Sequence, residues 1–275
     1  MSDFFYRIGR FVGPSARKGR WIWQTLVGAE GDEISAEHAV GRDLAAAMEA
    51  EVGVDDDESA NARLAAVADE LTRRVANRRR SFRFTIASAA PPNAFALPGG
   101  FIFISRSLLE LCEWNDDEIA FVLAHEMAHV IRKHAIDRII QSSALSVITR
   151  AAPGPSGALG KWVRRAGSKI LDGSYSQDNE FDADELGARL AIAAGFAYDG
   201  PERLLRRLAR FAADPHDIEN SQPNPSGADG ETETSAGRKP RDTDSTAATF
   251  LRYVSSHPPF EDRIRRVRIV ARDTR

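Results

Sequence analysis

The chain has 275 residues, enough for one large domain or two small ones. Its 43 % hydrophobic and 28 % charged content is that of a soluble globular protein, and a net charge of −3 gives no global attraction to nucleic acid. One cysteine, Cys112, excludes an intramolecular disulfide; with no CxxC pair, any metal site must use histidine and carboxylate.

Residues 1–35 form an N-terminal arm in which Arg7, Arg10, Arg17, Lys18 and Arg20 interleave with Phe4, Phe5, Phe11, Trp21 and Trp23. The favoured reading packs this arm on the domain through its aromatics, with contact to a membrane surface as the alternative. No apolar core with a small-residue cleavage site follows Met1, and no run of about 18 apolar residues exists. The expectation is a cytoplasmic protein without a transmembrane helix, with peripheral membrane association as the lesser alternative.

Residues 36–51 are expected to form a helix ending near Gly53. The next helix carries the stripe Leu64, Val67, Ala68, Leu71 and Val75, with acids at its start and arginines at its end, as the helix dipole favours. "FRFTIAS" alternates like a strand, and "PPNAFALPGGFIFIS" reads as two short strands around Pro98-Gly99-Gly100. Ser105 suits the cap of a short helix. Asn115 then opens a long one, with Glu118 placed for a capping box, and this helix is expected to run to about Thr149. "KWVRRAGSKILDG", "DNEFDADELGARLAIAAGF" and "PERLLRRLARF" are further helices. Residues 214–246 are too poor in apolar groups to offset ordering entropy and read as a disordered loop. A loop and a C-terminal helix close the chain. Residues 36–275 are thus expected to be a single domain of mainly helical α+β class.

The helix after Asn115 holds "LAHEMAHV". Residues four apart share a helix face, so His125 and His129 can aim their imidazoles at one ion. Glu126 lies about 100° round from His125, where it can reach a water without ligating the ion. This HExxH spacing pairs two neutral ligands with a carboxylate base, a zinc pattern. Two histidines and a glutamate among Val122, Leu123, Val130 and Ile131 also need partners, since unpaired polar groups in an apolar setting are costly. A polar surface stripe is the bland alternative. His134 is about 140° off the ligand face and is read as a surface histidine or an outer contact of the site. A catalytic zinc takes three protein ligands, and Glu180 can supply the third. Asp184, one turn on, can accept the second N–H of a ligand histidine. Small residues line both helices (Ala120, Ala124, Ala128; Ala183, Gly187, Ala191), which permits close approach.

These motifs resemble the M48 family of metallopeptidases, of the gluzincin type, with HExxH followed by ExxxD. "PNAFALPGGFIFIS" is similar to that family's strand before the HExxH helix, and "SSHPPFEDRI" to its late His-Pro motif followed by an arginine. The resemblance runs from about Phe84 to Arg265 and implies a zincin-type domain with a small antiparallel or mixed sheet beside the HExxH helix. It implies one zinc ion per chain and hydrolysis of peptides or unfolded proteins, with Glu126 as base. It also implies His257 as oxyanion donor, Arg263 in support, and Asn93, Ala94, Phe95 and Ala96 as the edge that receives substrate. His257 is in addition a candidate fourth ligand whose loop, closed on the ion, would make the enzyme latent. Two other classes are weighed against this: a zinc-containing chaperone-like or binding module, and a non-peptide zinc hydrolase. A structural site would have four ligands and no base, so Glu126 favours the enzyme.

Overall fold

The computed structural model describes residues 30–88, 92–134, 175–213 and 258–274. The arm before residue 30, the helix expected at 161–173, the 214–246 loop and His257 lie outside the described residues. Helix α1 (Glu30–Val52) begins at Glu30 rather than at residue 36. Gly31 weakens the helical pattern in the sequence by about 1 kcal/mol, and packing of Leu44, Ala45, Met48 and Val52 outweighs that local preference. Helix α2 (Glu58–Arg74) starts where Asp57 accepts the N–H groups of Ser59 and Ala60 at 3.0 and 3.1 Å. Its stripe Leu64, Val67, Ala68 and Leu71 is buried as expected.

Three strands follow: β1 (Arg83–Ala87), β2 (Ala94–Leu97) and β3 (Phe101–Ser105). Their order is β1-β3-β2, with β1 parallel and β2 antiparallel to the central β3. The sheet is therefore small and mixed, and β2 is an edge strand, where its flanking prolines are tolerated. Period-two alternation divides the side chains between two layers. Phe95, Leu97, Phe101 and Phe103 pack with α1, and Phe95 stacks on Phe103 at 5.0 Å between ring centroids. Ile86, Ala94, Ala96, Ile102 and Ile104 face the main core. The turn at Pro98–Gly100 needs glycine twice, with φ of 76° at Gly99 and 89° at Gly100. A Cβ on Gly99 would also lie 2.4 Å from the Cα of His38, so this turn seats directly on α1.

Ser105 caps helix α3 (Arg106–Leu111) by accepting the Leu108 N–H at 3.1 Å. Asn115 caps helix α4 (Asp116–Ile131) through the Glu118 N–H at 3.2 Å. The capping box is only half made. The Glu118 carboxylate does not return to Asn115 but receives Arg207 at 2.8 Å. Every residue of α4 from Glu118 to Val130 is buried, so this is a core helix rather than a one-faced surface helix. It also ends at Ile131, not near Thr149. The Arg132 N–H closes on the Ala128 carbonyl at 2.9 Å, and Lys133 turns left-handed with φ of 64°. No glycine or proline marks this stop.

Helix α5 (Gln177–Ala193), capped by Ser176, crosses α4. Helix α6 (Gly200–Ala213) buries Leu204, Leu205, Leu208 and Phe211 and is tied to the start of α4 by Arg203–Asp117 and Arg207–Glu118, both at 2.8 Å. Helix α7 (Phe260–Asp273) lies against α5 and α6 through Ile264, Val267 and Val270, each contributing on the order of 1.5–3 kcal/mol by burial. The fold is thus mainly helical, with the small sheet beside α4. No helix among the described residues is long and apolar enough to cross a membrane.

Candidate metal centre

The helical spacing of α4 brings His125 and His129 together, with their Nε2 atoms 3.1 Å apart. Helix α5 brings Glu180 opposite them. One carboxylate oxygen is 3.6 Å from His125 Nε2 and the other is 3.6 Å from His129 Nε2. A tetrahedral ion with bonds of about 2.0–2.2 Å separates its ligand atoms by about 3.3–3.6 Å. The imidazole separation of 3.1 Å is near that edge, and a different Glu180 oxygen approaches each imidazole, so the three side chains are close enough together to hold one metal ion. They are also the donor chemistry such an ion takes: two imidazoles and a carboxylate, all buried.

The approach of the two helices is set by Gly187. A Cβ there would lie 2.9 Å from both the Cα and the N of His125. A methyl-bearing residue would hold α5 away from α4, and Glu180 with it. The rows of small residues noted in the sequence therefore do meet, at Gly187 against Ala124 and His125.

Outer contacts fix each imidazole differently. Asp184 Oδ1 lies 3.1 Å from His125 Nδ1, leaving Nε2 toward Glu180 and His129. Asp184 is in turn gripped by Arg263 of α7, with Nε donating at 2.8 Å and Nη2 at 2.7 Å. All three side chains are almost fully buried. Arg263 thus grips Asp184 most closely, as a bidentate guanidinium positions a carboxylate, and its Nη2 also lies 3.9 Å from Glu180 Oε2. Burial raises the Asp184 pKa, but the Arg263 charge and hydrogen bonds, with His125 added, hold it well below the usual carboxylate range. Burial likewise pulls the His125 pKa down, yet Asp184 and then Glu180 outweigh it and carry it up to about 10. The carboxylates Glu126, Glu180 and Asp184 outnumber the single guanidinium Arg263, and the proton His125 takes up at its raised pKa offsets only part of the excess. That excess favours a bound cation.

His129 is held by a group that angle alone set aside. Because the helix stops at Ile131 and Lys133 reverses the chain, His134 folds back and its Nδ1 comes 3.0 Å from His129 Nδ1. If His129 offers Nε2 to an ion, its Nδ1 carries the proton, so His134 Nδ1 is the acceptor and His134 Nε2 carries the N–H. That N–H faces Asp182 at 3.8 Å, and Asp182 is paired with Arg132 at 2.9 Å. Tyr175, which the sequence did not single out, stacks on His129 at 3.8 Å between ring centroids. Only the short step from Tyr175 to Glu180 in the sequence hints at it.

Glu126 is buried beside the three donors and opens, with His125 and Arg263, onto a small cavity of about 30 Å³, room for about one water. Pro92, Asn93 and Ala94 line the same cavity. Of the four expected edge residues, Asn93 and Ala94 therefore reach the site. The Ser105 N–H donates to the Asn93 carbonyl at 2.9 Å, which makes 93/105 a hydrogen-bonded pair, and Phe95/Phe103 the next. Phe95 is accordingly turned away on both counts, its backbone toward β3 and its ring toward α1. Ala94 and Ala96 direct their N–H and C=O groups to the open side of β2.

Comparison with known proteins adds the following. The family model for Peptidase family M48 matches residues 58–271. Over 126 residues the chain is 34 % identical to the mitochondrial metalloendopeptidase OMA1 of Saccharomyces cerevisiae, covering 44 % of this chain and 35 % of that protein. Over 161 residues it is 28 % identical to the beta-barrel assembly-enhancing protease of Yersinia pestis, covering 54 % and 33 % respectively. With the mitochondrial metalloendopeptidase OMA1 of Bos taurus it shares 32 % identity over 112 residues, covering 37 % and 21 %. The chain spans about a third of the length of the first of these curated relatives and about a fifth of the last.

Proposed function

Because the chain belongs to peptidase family M48, we propose that it is a zinc-dependent metalloendopeptidase that cleaves peptides or unfolded proteins. The observation that carries this reading is the buried set His125, His129 and Glu180, close enough together to hold one ion, with a second carboxylate, Glu126, facing a water-sized cavity beside it. His125, His129 and Glu180 would hold one zinc ion. When bound, zinc polarises the scissile carbonyl and makes water acidic enough to act as a nucleophile near neutral pH.

The chain's own residues do the rest. Glu126 takes the proton of the attacking water and passes it to the leaving amine nitrogen. Asp184 and His134 hold the two ligand imidazoles in the tautomer that leaves Nε2 free, and Arg263 keeps Asp184 ionised and in place. The substrate adds as an extended strand along the open side of β2, pairing with the outward backbone groups of Ala94 and Ala96. His257 serves as the oxyanion donor. In a latent form the same histidine would join His125, His129 and Glu180 in holding the ion. A His257→Ala enzyme without activity, together with a wild type that shows no lag or activation under any condition, would remove the latent form.

The test is a Glu126→Gln variant. Zinc content should match the wild type while cleavage of unfolded casein disappears. A variant that still cleaves would exclude Glu126 as base. A zinc-loaded wild type that never cleaves would turn the reading toward a binding module.

A further inference from the structure

A cavity of about 310 Å³, lined by none of the proposed metal ligands, lies between the start of α1, the segment leading into β1, the turn at Pro98–Gly100 and Val130 of α4. Its polar lining consists of Ser35, His38, Arg79, Arg80 and Ser81, over a floor that includes Ile34 and Val130. Arginine, histidine and serine thus share the lining, and no carboxylate belongs to it among the described residues. A site of that size and polarity suits a small anionic ligand.

The two arginines differ in the way a binding site needs. Arg80 has a side chain only 7 % exposed, and its Nη1 lies 3.4 Å from the buried carboxylate of Glu37 on α1. It is fixed before any ligand arrives. Arg79 is exposed, and its guanidinium has no acidic partner among the described residues. The turn that presents them is itself held by Asn77, which accepts the Arg79 N–H on its side chain and the Arg80 N–H on its carbonyl, both at 3.1 Å. The opposite wall is equally firm. Gly99 abuts the backbone of Glu37 and His38 so closely that no side chain fits between them.

The surrounding charge points the same way. Residues 73–83 carry Arg73, Arg74, Arg78, Arg79, Arg80 and Arg83. Arg73, Arg80 and Arg83 are paired with Glu70, Glu37 and Glu49. Arg74, Arg78 and Arg79 are exposed and unpaired among the described residues. Excess guanidinium charge next to a donor-lined cavity attracts phosphate oxygens, which guanidinium binds in a bidentate manner.

We infer that this cavity is a binding site for a phosphomonoester group, with Arg80 as the preset anchor and Arg79 closing on the ligand. Ser81 and His38 supply the remaining hydrogen bonds. The group can arrive as a free phosphate compound or on a lipid headgroup, and two arms of one test distinguish them. The zinc-loaded protein is titrated calorimetrically with inorganic phosphate and with glycerol phosphate. In parallel it is sedimented with phosphatidylcholine vesicles lacking or containing phosphatidic acid. Arg79→Gln removes the mobile charge at an exposed position, and Arg74→Gln, outside the cavity, controls for general surface charge.

Saturable binding in either arm, weakened at least tenfold by Arg79→Gln and unchanged by Arg74→Gln, is expected. Binding in the soluble arm identifies a free ligand, and binding confined to phosphatidic acid vesicles identifies a headgroup. No binding in either arm, or equal losses in the two variants, would overturn the inference. Zinc content and casein cleavage of Arg79→Gln should equal the wild type, because no residue lining this cavity belongs to the metal centre.

Discussion

A methyl group added at Gly187 measures how closely α4 and α5 must approach for the centre to form. Its Cβ would lie 2.9 Å from the Cα and the N of His125 and 3.1 Å from the carbonyl carbon of Ala124. Comfortable carbon contacts begin near 3.5 Å, so the helices must part by roughly 0.6 Å, backbone against backbone. In Gly187→Ala two effects on stability oppose each other. Alanine gains about 1 kcal/mol of helix propensity, while overpacking costs about 1–3 kcal/mol. The metal-free variant should therefore fall between neutral and about 2 kcal/mol less stable. The effect on metal binding has no such offset. Glu180 sits on the same helix, its oxygens 3.6 Å from each imidazole nitrogen. Parting the helices opens those separations toward roughly 4 Å, past the edge of a tetrahedral site. Zinc affinity should drop by about 10–100-fold, the range found when a ligand's support is disturbed. Competition against a chromophoric chelator, with urea denaturation of the metal-free form on the same preparations, gives both quantities. Unchanged zinc affinity together with a stability gain of about 1 kcal/mol would refute the reasoning, because it would mean that the helices do not touch at His125.

Asp184→Asn removes the bidentate counter-charge of the buried Arg263 and leaves it the longer 3.9 Å pair with Glu180, so it should cost the metal-free protein up to about 3 kcal/mol in urea denaturation. His134→Ala should lower zinc affinity by about 10–100-fold, and His134→Asn, whose amide oxygen can accept the His129 N–H, should recover part of it in the same chelator competition. Glu202 is held at a pKa of about 2 by Arg268 first, against the opposing effect of burial, with Arg206 adding to the lowering. A depressed pKa stabilises the fold above the unfolded value near 4.5 and loses that contribution as pH falls toward 2. A stability profile against pH should thus show an acid limb in that window that is shallower in Glu202→Gln.

Sequence periodicity exposed the parts of the centre that depend on a helix. His125 and His129, and Glu180 with Asp184, are each four apart, and a helix sets their angle without help from the rest of the fold. The edge position of β2 followed from its prolines and glycines in the same local way. What escaped is what depends on where a helix stops and what lies across from it. Lys133 takes a left-handed conformation with no glycine to announce it. His134 was consequently set by its helical angle, when it folds back onto His129. The late motif brought Arg263 to notice, but 79 residues separate it from Asp184, and only packing of α7 on α5 makes the pair. Glu118 looked like half of a capping box because the competing Arg207 arrives from a helix 89 residues away. Which backbone groups of β2 face outward was hidden as well, because the register with β3 decides it and turns those of Phe95 inward.

Zinc stoichiometry by native mass spectrometry, on wild type and Glu180→Gln side by side, tests the centre most directly. One zinc ion per wild-type chain is expected, lost in Glu180→Gln while the circular dichroism of the helical fold is kept. A wild type that holds no zinc after loading, or a Glu180→Gln chain that holds it as firmly as the wild type, would contradict a centre built from His125, His129 and Glu180.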